Sequence, residues 1–239
     1  MMIHNQDNWI LFKGFNTKGV FLIEELPVVS SAELKQELIE IDGRHGFLTN
    51  SQDVYSPIEI NIELKLYNKS DIQKVRNIFR GSGNLILSNQ EDRYYKATVT
   101  NQIEFGRVIR QNYSVTITFM IQPHAYELKD NTITLLNSTG KYTLTNSTNA
   151  TSQPEITIYG TGTGILIIGN ETINIKNISD HIILDYELQE AYRITNGSPS
   201  NANTDINCDY NEIQIGDTLI KWSGSGITKI EINPRWRYL

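Results

Sequence analysis

The sequence predicts a mainly β protein in two parts: an α+β domain over residues 1–130 and a β-sandwich domain over residues 131–239. Two long runs of alternating residues, one stretch with helical spacing, and a change of texture near residue 130 carry that reading. In the first run, Ile58, Ile60, Ile62, Leu64 and Leu66 fall on one side, with Glu59, Asn61, Glu63 and Lys65 on the other. In the second, Tyr113, Val115, Ile117, Phe119 and Ile121 are interleaved with Ser114, Thr116, Thr118 and Met120. A period of two marks a strand with one buried face. The single convincing helix opens near Ser70, which stands as a cap, with Gln73 three residues on completing a capping box. Ile72, Val75, Ile78 and Phe79 follow at helical spacing, and Gly81 ends the segment in a left-handed conformation.

The remaining elements follow in order. Leu34, Leu38 and Ile41 fit either a strand or a short helix. Leu85–Leu87 and Tyr94–Thr100 read as further strands, so the first domain is several strands with one helix against them. Pro123 is expected to close the long strand, because proline donates no ladder hydrogen bond and restricts its neighbour. The domain boundary falls near residues 125–132. Beyond it the strands become short: Thr132–Leu136, Tyr142–Thr145, Glu155–Tyr159, Ile165–Ile168, Thr172–Ile175, Ile182–Asp185, Glu212–Ile215, Thr218–Trp222 and Ile227–Ile232. Gly, Asn, Asp and Ser separate them, the pattern of a β-sandwich. Asn196–Asp205 reads as a polar surface loop.

Composition narrows the function. With 239 residues, 39% hydrophobic and 20% charged, the chain is long and apolar enough to bury a core in each part. The net charge is -6, with 14 basic and 16 acidic residues up to residue 130 and 7 and 11 after it. Neither part is basic, which argues against binding nucleic acid through phosphate neutralisation. Cys208 is the only cysteine, so no intrachain disulfide is expected. The first nine residues lack a basic segment followed by an apolar stretch, and no secretory signal is expected. No apolar run approaches the roughly 20 residues of a membrane span, so no membrane partner is expected.

Candidate chemistry is sparse. His4, His45, His124 and His181 are far apart, and one cysteine cannot make the usual zinc site. Gly160, Gly162 and Gly164 form a GTGTG run, but a phosphate cradle needs a following helix and Ile165–Ile168 reads as a strand. A glycine-rich hairpin turn is the expectation there. Asp185, Glu187 and Glu190 have the types for an acid/base pair, yet they stand at a strand end where solvated acids are common. Trp222 and Tyr210 are candidate sugar-stacking residues, although both residue types are more often core or rim. No cofactor or metal is called for.

The order of several short motifs resembles the phage distal tail (Dit) tail-component family over nearly the whole chain. The first half carries Lys13-Gly14-Phe15, then Asp42-Gly43-Arg44-His45-Gly46, then a strand entered at Tyr55 and running to Leu66. A helix leading to Phe79-Arg80 and a close at Gln122-Pro123 complete that half. The second half carries Asn146–Ala150 leading to Gln153-Pro154-Glu155-Ile156, then Gly160–Gly164, then Ile182-Ile183-Leu184-Asp185. It ends with Gly216-Asp217-Thr218, Trp222-Ser223-Gly224 and Ile232-Asn233-Pro234-Arg235-Trp236-Arg237. Two departures stand out: Tyr186 takes the place of a small Ser after the Asp, and the usual Gly after the Asn-rich turn is missing.

The resemblance implies a tail-tube-like β-barrel or sandwich for the N-terminal domain and a galectin-like or jelly-roll sandwich for the C-terminal one. It implies a six-fold ring at the virion tail tip, made in the cytoplasm of the bacterial host. The ring's partners would be the tail-tube protein, the tail-tip protein and receptor-binding proteins, with DNA passing through but not specifically bound. On that reading Ile58, Ile60, Ile62, Leu64, Val115, Ile117 and Phe119 build the ring-forming barrel, and Glu33–Ile41 or Arg93–Phe105 reaches a neighbouring subunit. Gly43, Arg44, Gly46, Pro123, Pro154, Asp185, Pro234 and Arg235 are the motif positions. A structural assembly protein is therefore the first expectation, a carbohydrate-binding module for cell-wall glycans the second, and an enzyme the last.

Overall fold

The computed structural model describes residues 8–102, 106–109, 112–137 and 139–239, with the side chains of residues 52, 53, 106–109 and 112 left aside. The chain divides into two compact units, Met1–Leu128 with Leu239, and Lys129–Tyr238. Both are built almost wholly from antiparallel strands, with one α-helix among the described residues.

In the first unit the strands are β1 (Ile10–Phe12), β2 (Phe15–Asn16), β3 (Leu34–Glu40), β4 (Phe47–Tyr55) and β5 (Ile58–Leu66). Helix α1 (Asp71–Ile78) follows, then β6 (Ser82–Leu87), β7 (Arg93–Val99), β8 (Gly106–Ile109) and β9 (Asn112–Glu127). The main sheet runs β9-β7-β6-β1-β2, with β5 and β8 also on β9. The two alternating runs pair with each other throughout, from Ile58 opposite Ile121 to Leu66 opposite Tyr113. Their apolar sides, including Ile60, Ile62, Leu64, Val115, Ile117 and Phe119, are buried, while Ile58 at the strand start is half-buried. Phe79 joins this core just past the helix, 6.0 Å from Phe12 and 6.2 Å from Phe119 between ring centres.

The helix forms where expected, but its cap differs. Ser70 already has helical backbone angles and makes no side-chain cap bond. The Asp71 carboxylate instead accepts the Asn68 N–H at 3.2 Å, so the acidic arm of the cap reaches a residue two positions before Ser70. Gln73 turns away and donates to Asn77. Gly81 has φ +66, the left-handed exit that a residue without Cβ permits.

Pro123 does not close its strand; β9 runs on to Glu127. The pairing with β7 steps from Ala97 opposite Ile121 to Tyr95 opposite Ala125, leaving Gln122, Pro123 and His124 across from Lys96 alone. On the other side, β5 reaches no further than its first residue, Ile58, opposite Ile121. Pro123 thus sits in a bulge where neither neighbour needs its missing N–H.

The second unit contains β10 (Ile133–Leu136), β11 (Gly140–Asn146), β12 (Glu155–Ile168), β13 (Glu171–Asp185), β14 (Glu190–Thr195) and β15 (Ser198–Asn201). A 3₁₀ turn (Asn203–Asp205), β16 (Ile206–Asn207), β17 (Gly216–Ser223), β18 (Ile227–Asn233) and β19 (Arg237–Tyr238) follow. The first part of β12 pairs with β18 and its last part with β17. β13 likewise contacts β14 near Asp185 and β16 near Ile175. These two long strands cross between the layers of a β-sandwich and enclose a core of Ile156, Ile158, Leu166, Ile173, Ile182, Leu184, Ile220, Ile230 and Ile232.

Three expectations change here. The GTGTG run is no hairpin turn; it lies inside β12, with a register shift against β13 between Gly162 and Gly164. Gly160 has φ +145, and a Cβ there would lie 1.8 Å from the Gly226 carbonyl oxygen. Glycine therefore allows β12 to bend against the turn before β18. Asn196–Asp205 is no plain loop either. β14 and β15 form a hairpin across Asn196 (φ +51) and Gly197 (φ +77), the positive-φ pair of a two-residue turn. Glu212–Ile215 is not a strand but a segment touching Ser152 by one bridge at Ile213.

Candidate functional site

Leu34–Glu40 and Phe47–Tyr55 form a two-stranded sheet of their own, resolving the strand-or-helix ambiguity at Leu34 and Leu38 and leaving Ile41 in the turn. Glu40 stands opposite Phe47, Ile39 opposite Leu48 and Leu38 opposite Thr49. Gly43 (φ +79) and Gly46 (φ +81) shape the tip, and the Arg44 N–H closes it onto the Ile41 carbonyl at 3.0 Å. At the base, the Ser56 N–H donates to the Glu33 carbonyl at 2.8 Å.

Successive strand residues point to opposite faces. Leu38 and Ile39 therefore face opposite ways, and so do Phe47 and Leu48. All four are exposed, Leu38 by 53% and Phe47 by 55%, together with Ile41 and Val54. A two-stranded hairpin is marginal in water unless a further layer covers it, and exposed apolar surface of this kind marks an interaction site. The first unit thus presents an arm with apolar groups on both faces. The other segment expected to reach a neighbour, Arg93–Phe105, is placed differently. β7 lies between β6 and β9, with both edges used, and residues 103–105 lie outside the described residues.

The other singled-out residues are structural in their placement. Arg235 holds Asp185 through two hydrogen bonds of 2.9 and 3.0 Å, and Glu155 at 2.6 Å. Asp185 also accepts the Glu187 and Leu188 N–H groups, capping the turn after β13. Burial pushes its carboxyl up, but the bonds from Arg235 and the turn outweigh this and hold it below the usual carboxylate range. Motif positions far apart in sequence, Pro154 with Glu155, Asp185, and Pro234 with Arg235, thereby meet at one ion cluster. Two residues on, Arg237 donates to the Thr151 carbonyl and to Gln153, and pairs with Glu212 at 2.9 Å. Tyr186, the departure from the motif, is buried, and its N–H donates to the Pro154 carbonyl at 3.1 Å.

Of the carboxylates considered for acid/base work, Asp185 is committed to Arg235 and Glu187 stands 3.7 Å from it as well, while Glu190 is exposed at the start of β14. Trp222 is only 5% exposed, and its indole N–H donates to the Asn137 carbonyl at 2.9 Å. Gly140 packs on its ring, where a Cβ would come within 2.5 Å. No face of this ring is open for a sugar. Tyr210 stands edge-on to Tyr186 at 5.4 Å with its hydroxyl buried. Glu171 accepts the N–H groups of Asp209, Tyr210 and Asn211 and so pins this loop. Burial pushes the neighbouring Cys208 thiol up to about 12. Of the histidines, His45 lies at the arm's tip, His124 in the β9 bulge and His181 on β13, while His4 lies outside the described residues. Among the described residues no three His, Cys, Asp or Glu side chains are grouped to hold a metal.

No protein-family model matches the chain. No curated protein matches it either. Among solved structures it is similar to the Dit protein of SPP1, a hub adsorption apparatus protein of phages infecting Gram-positive bacteria. The TM-score is 0.76 at 13% identity, covering 97% of this chain and 99% of that one. It is also similar to a chain of the phage P2 baseplate in its activated conformation with Ca. There the TM-score is 0.54 at 9% identity, covering 94% and 96%. The chain has, across both of its units, the fold of a phage distal tail (Dit) protein.

Proposed function

We propose that the protein is a structural component of a phage tail that assembles as a ring, six-fold as the family resemblance implies, at the distal end of the tail tube. It joins the tube to tail-tip and receptor-binding proteins around the channel through which DNA leaves, and it performs no catalysis. The observation that carries this reading is the hairpin of β3 and β4, apolar on both faces and part of no other sheet, in a chain with the Dit fold. Such an arm gains a partner layer when it lies on the next copy, and head-to-tail contacts of one kind form a ring when the rotation between copies closes. The sandwich unit serves as the platform on which partners dock.

Light scattering on the purified chain, followed by negative-stain imaging, tests the proposal. Rings that disappear in Leu38→Asp/Phe47→Asp, with the far-UV circular dichroism retained, are the expected result. Both side chains are exposed in the single chain, so the change should leave folding stability within about 0.5 kcal/mol. Rings that persist in this variant would refute the arm's role. A strict monomer at high concentration, with or without tail-tube protein, would refute ring assembly.

A further inference from the structure

We propose that the β14–β15 hairpin of the sandwich unit is latched by the neutral form of His181 and is released by acid. The backbone ladder between β13 and β14 stops at Ile183 opposite Tyr192. Beyond it, the hairpin runs out through Ile194 and Thr195, turns at Asn196-Gly197 and returns through Ser198–Asn201, and its residues from Ile194 to Asn201 are all exposed. Side chains replace the ladder there. The Ile194 N–H donates to His181 Nε2 at 3.0 Å. Arg193 donates to the Asn177 carbonyl at 2.6 Å and to Asp205 at 2.7 Å.

The protonation state of His181 follows from this geometry. A backbone N–H can only donate, so Nε2 must offer its lone pair. The ring proton is then on Nδ1, which donates to Asp180 Oδ2 at 2.7 Å. A second proton on the ring would have to occupy Nε2, setting one N–H against another. The bond that holds Ile194 would be lost, and imidazole side chains gain that proton between about pH 5 and 8.

The surroundings set which way the balance leans. On its own strand, His181 meets Asp180, whose carboxylate favours the charged ring but is 88% exposed, so water screens it. From β12, Tyr159 packs 6.1 Å from the ring, with its hydroxyl on Glu231. From β18, Lys229 sits 3.8 Å over the Tyr159 ring and 2.9 Å from Glu231. From β14, Arg193 is neutralised by Asp205. The outer half of the hairpin carries no apolar cover, so loss of the Ile194 bond leaves it to open locally.

Hydrogen exchange with NMR detection on the full chain at pH 7.5 and pH 5.0, beside His181→Gln, tests the latch. Gln can place an amide oxygen near the Nε2 position, where it accepts the Ile194 N–H at any pH. In the wild type, the ring nitrogens should report imidazolium at pH 5.0. Protection of the Ile194 amide should fall about tenfold after correction for intrinsic rates, the scale of one lost hydrogen bond. The Gln variant should keep the same protection at both pH values. The proposal is overturned by a ring still neutral at pH 5.0 or by imidazolium with Ile194 protection unchanged. An equal loss in the Gln variant, or an equal loss at the core amide of Ile158, which would signal global destabilisation, also overturns it.

Discussion

Replacing Gly160 by Ala should be among the most damaging single-methyl changes in the sandwich unit. The added Cβ would stand 1.8 Å from the Gly226 carbonyl oxygen and 2.9 Å from its carbon, both of them backbone. No rotamer relieves an overlap of that kind, so β12 and the turn before β18 must separate by more than 1 Å, by roughly the shortfall from normal contact. The Thr161 N–H donates to that same oxygen at 2.8 Å, so the hydrogen bond is lost with the contact. Overpacking costs about 1–3 kcal/mol, a broken buried hydrogen bond about as much, and a non-glycine residue at positive φ about 1–2 kcal/mol. A total near 4 kcal/mol is expected. Gly197→Ala supplies the control: its φ is +77, but nothing lies within 4 Å of the new methyl. Backbone strain alone should then cost about 1 kcal/mol. In urea unfolding followed by tryptophan fluorescence, with buried Trp222 reporting on this unit, the midpoints should fall by about 2 M and 0.5 M at a typical slope. Equal shifts for the two variants would refute the claim that close backbone approach, and not turn geometry, requires glycine in the GTGTG run.

Two further predictions follow from the ion clusters and the helix cap. Asp185 and Glu212 both have carboxyls held below their ordinary values of 3.8 and 4.5: burial pushes each up, and bonds from Arg235 at Asp185 and from Thr151 and Arg237 at Glu212 prevail. Groups depressed in the folded state contribute stability that is present above those ordinary values and is lost as pH falls through the lower folded ones. Thermal melts of the sandwich unit should therefore weaken steeply below about pH 4, and Asp185→Asn with Glu212→Gln should flatten that dependence; an unchanged slope would count against it. At the helix, Asp71→Ala should cost about 1 kcal/mol by losing the bond to the Asn68 N–H, whereas Ser70→Ala should be near neutral. The opposite ranking in chemical denaturation would restore Ser70 as the cap.

The features legible in the sequence were those set by local periodicity. Alternation alone marks Ile58–Leu66 and Tyr113–Ile121 as strands, because a buried face forces the period of two whatever lies across from it, while their pairing with each other appears only in the structure. Features that depend on a distant strand were not legible. Pro123 lies inside β9 because β9 bulges there against β7 and the pairing with β5 stops at Ile121, neither of which is visible from residue 123 itself. The bend of β12 depends on the approach of Gly226, 66 positions after Gly160. Arg235 reads as part of a C-terminal motif, but its partners Glu155 and Asp185 come from two other strands. One signal was present and local: Asn196-Gly197 between short runs is a two-residue hairpin turn, hidden by the polar residues around it.

Assembly, on the proposed reading, falls to the first unit because the second already satisfies itself. In the sandwich, Arg235 and Arg237 are committed to partners within the unit, Trp222 is buried, and the exposed apolar residues Leu136, Ile165, Leu188, Ile194, Ile215 and Leu219 sit on separate elements. In the first unit, by contrast, Leu38, Ile39, Ile41, Phe47, Leu48 and Val54 are gathered on one arm. An arm that met its own counterpart would give an isologous, two-fold dimer and stop there. An arm that lands on a different surface of the next copy repeats the same rotation until it closes. The oligomeric state therefore discriminates the two geometries without a map of the interface: a dimer that Phe47→Asp dissociates would keep the arm as a contact and exclude the ring, whereas a closed ring requires that arm and receiving surface be distinct.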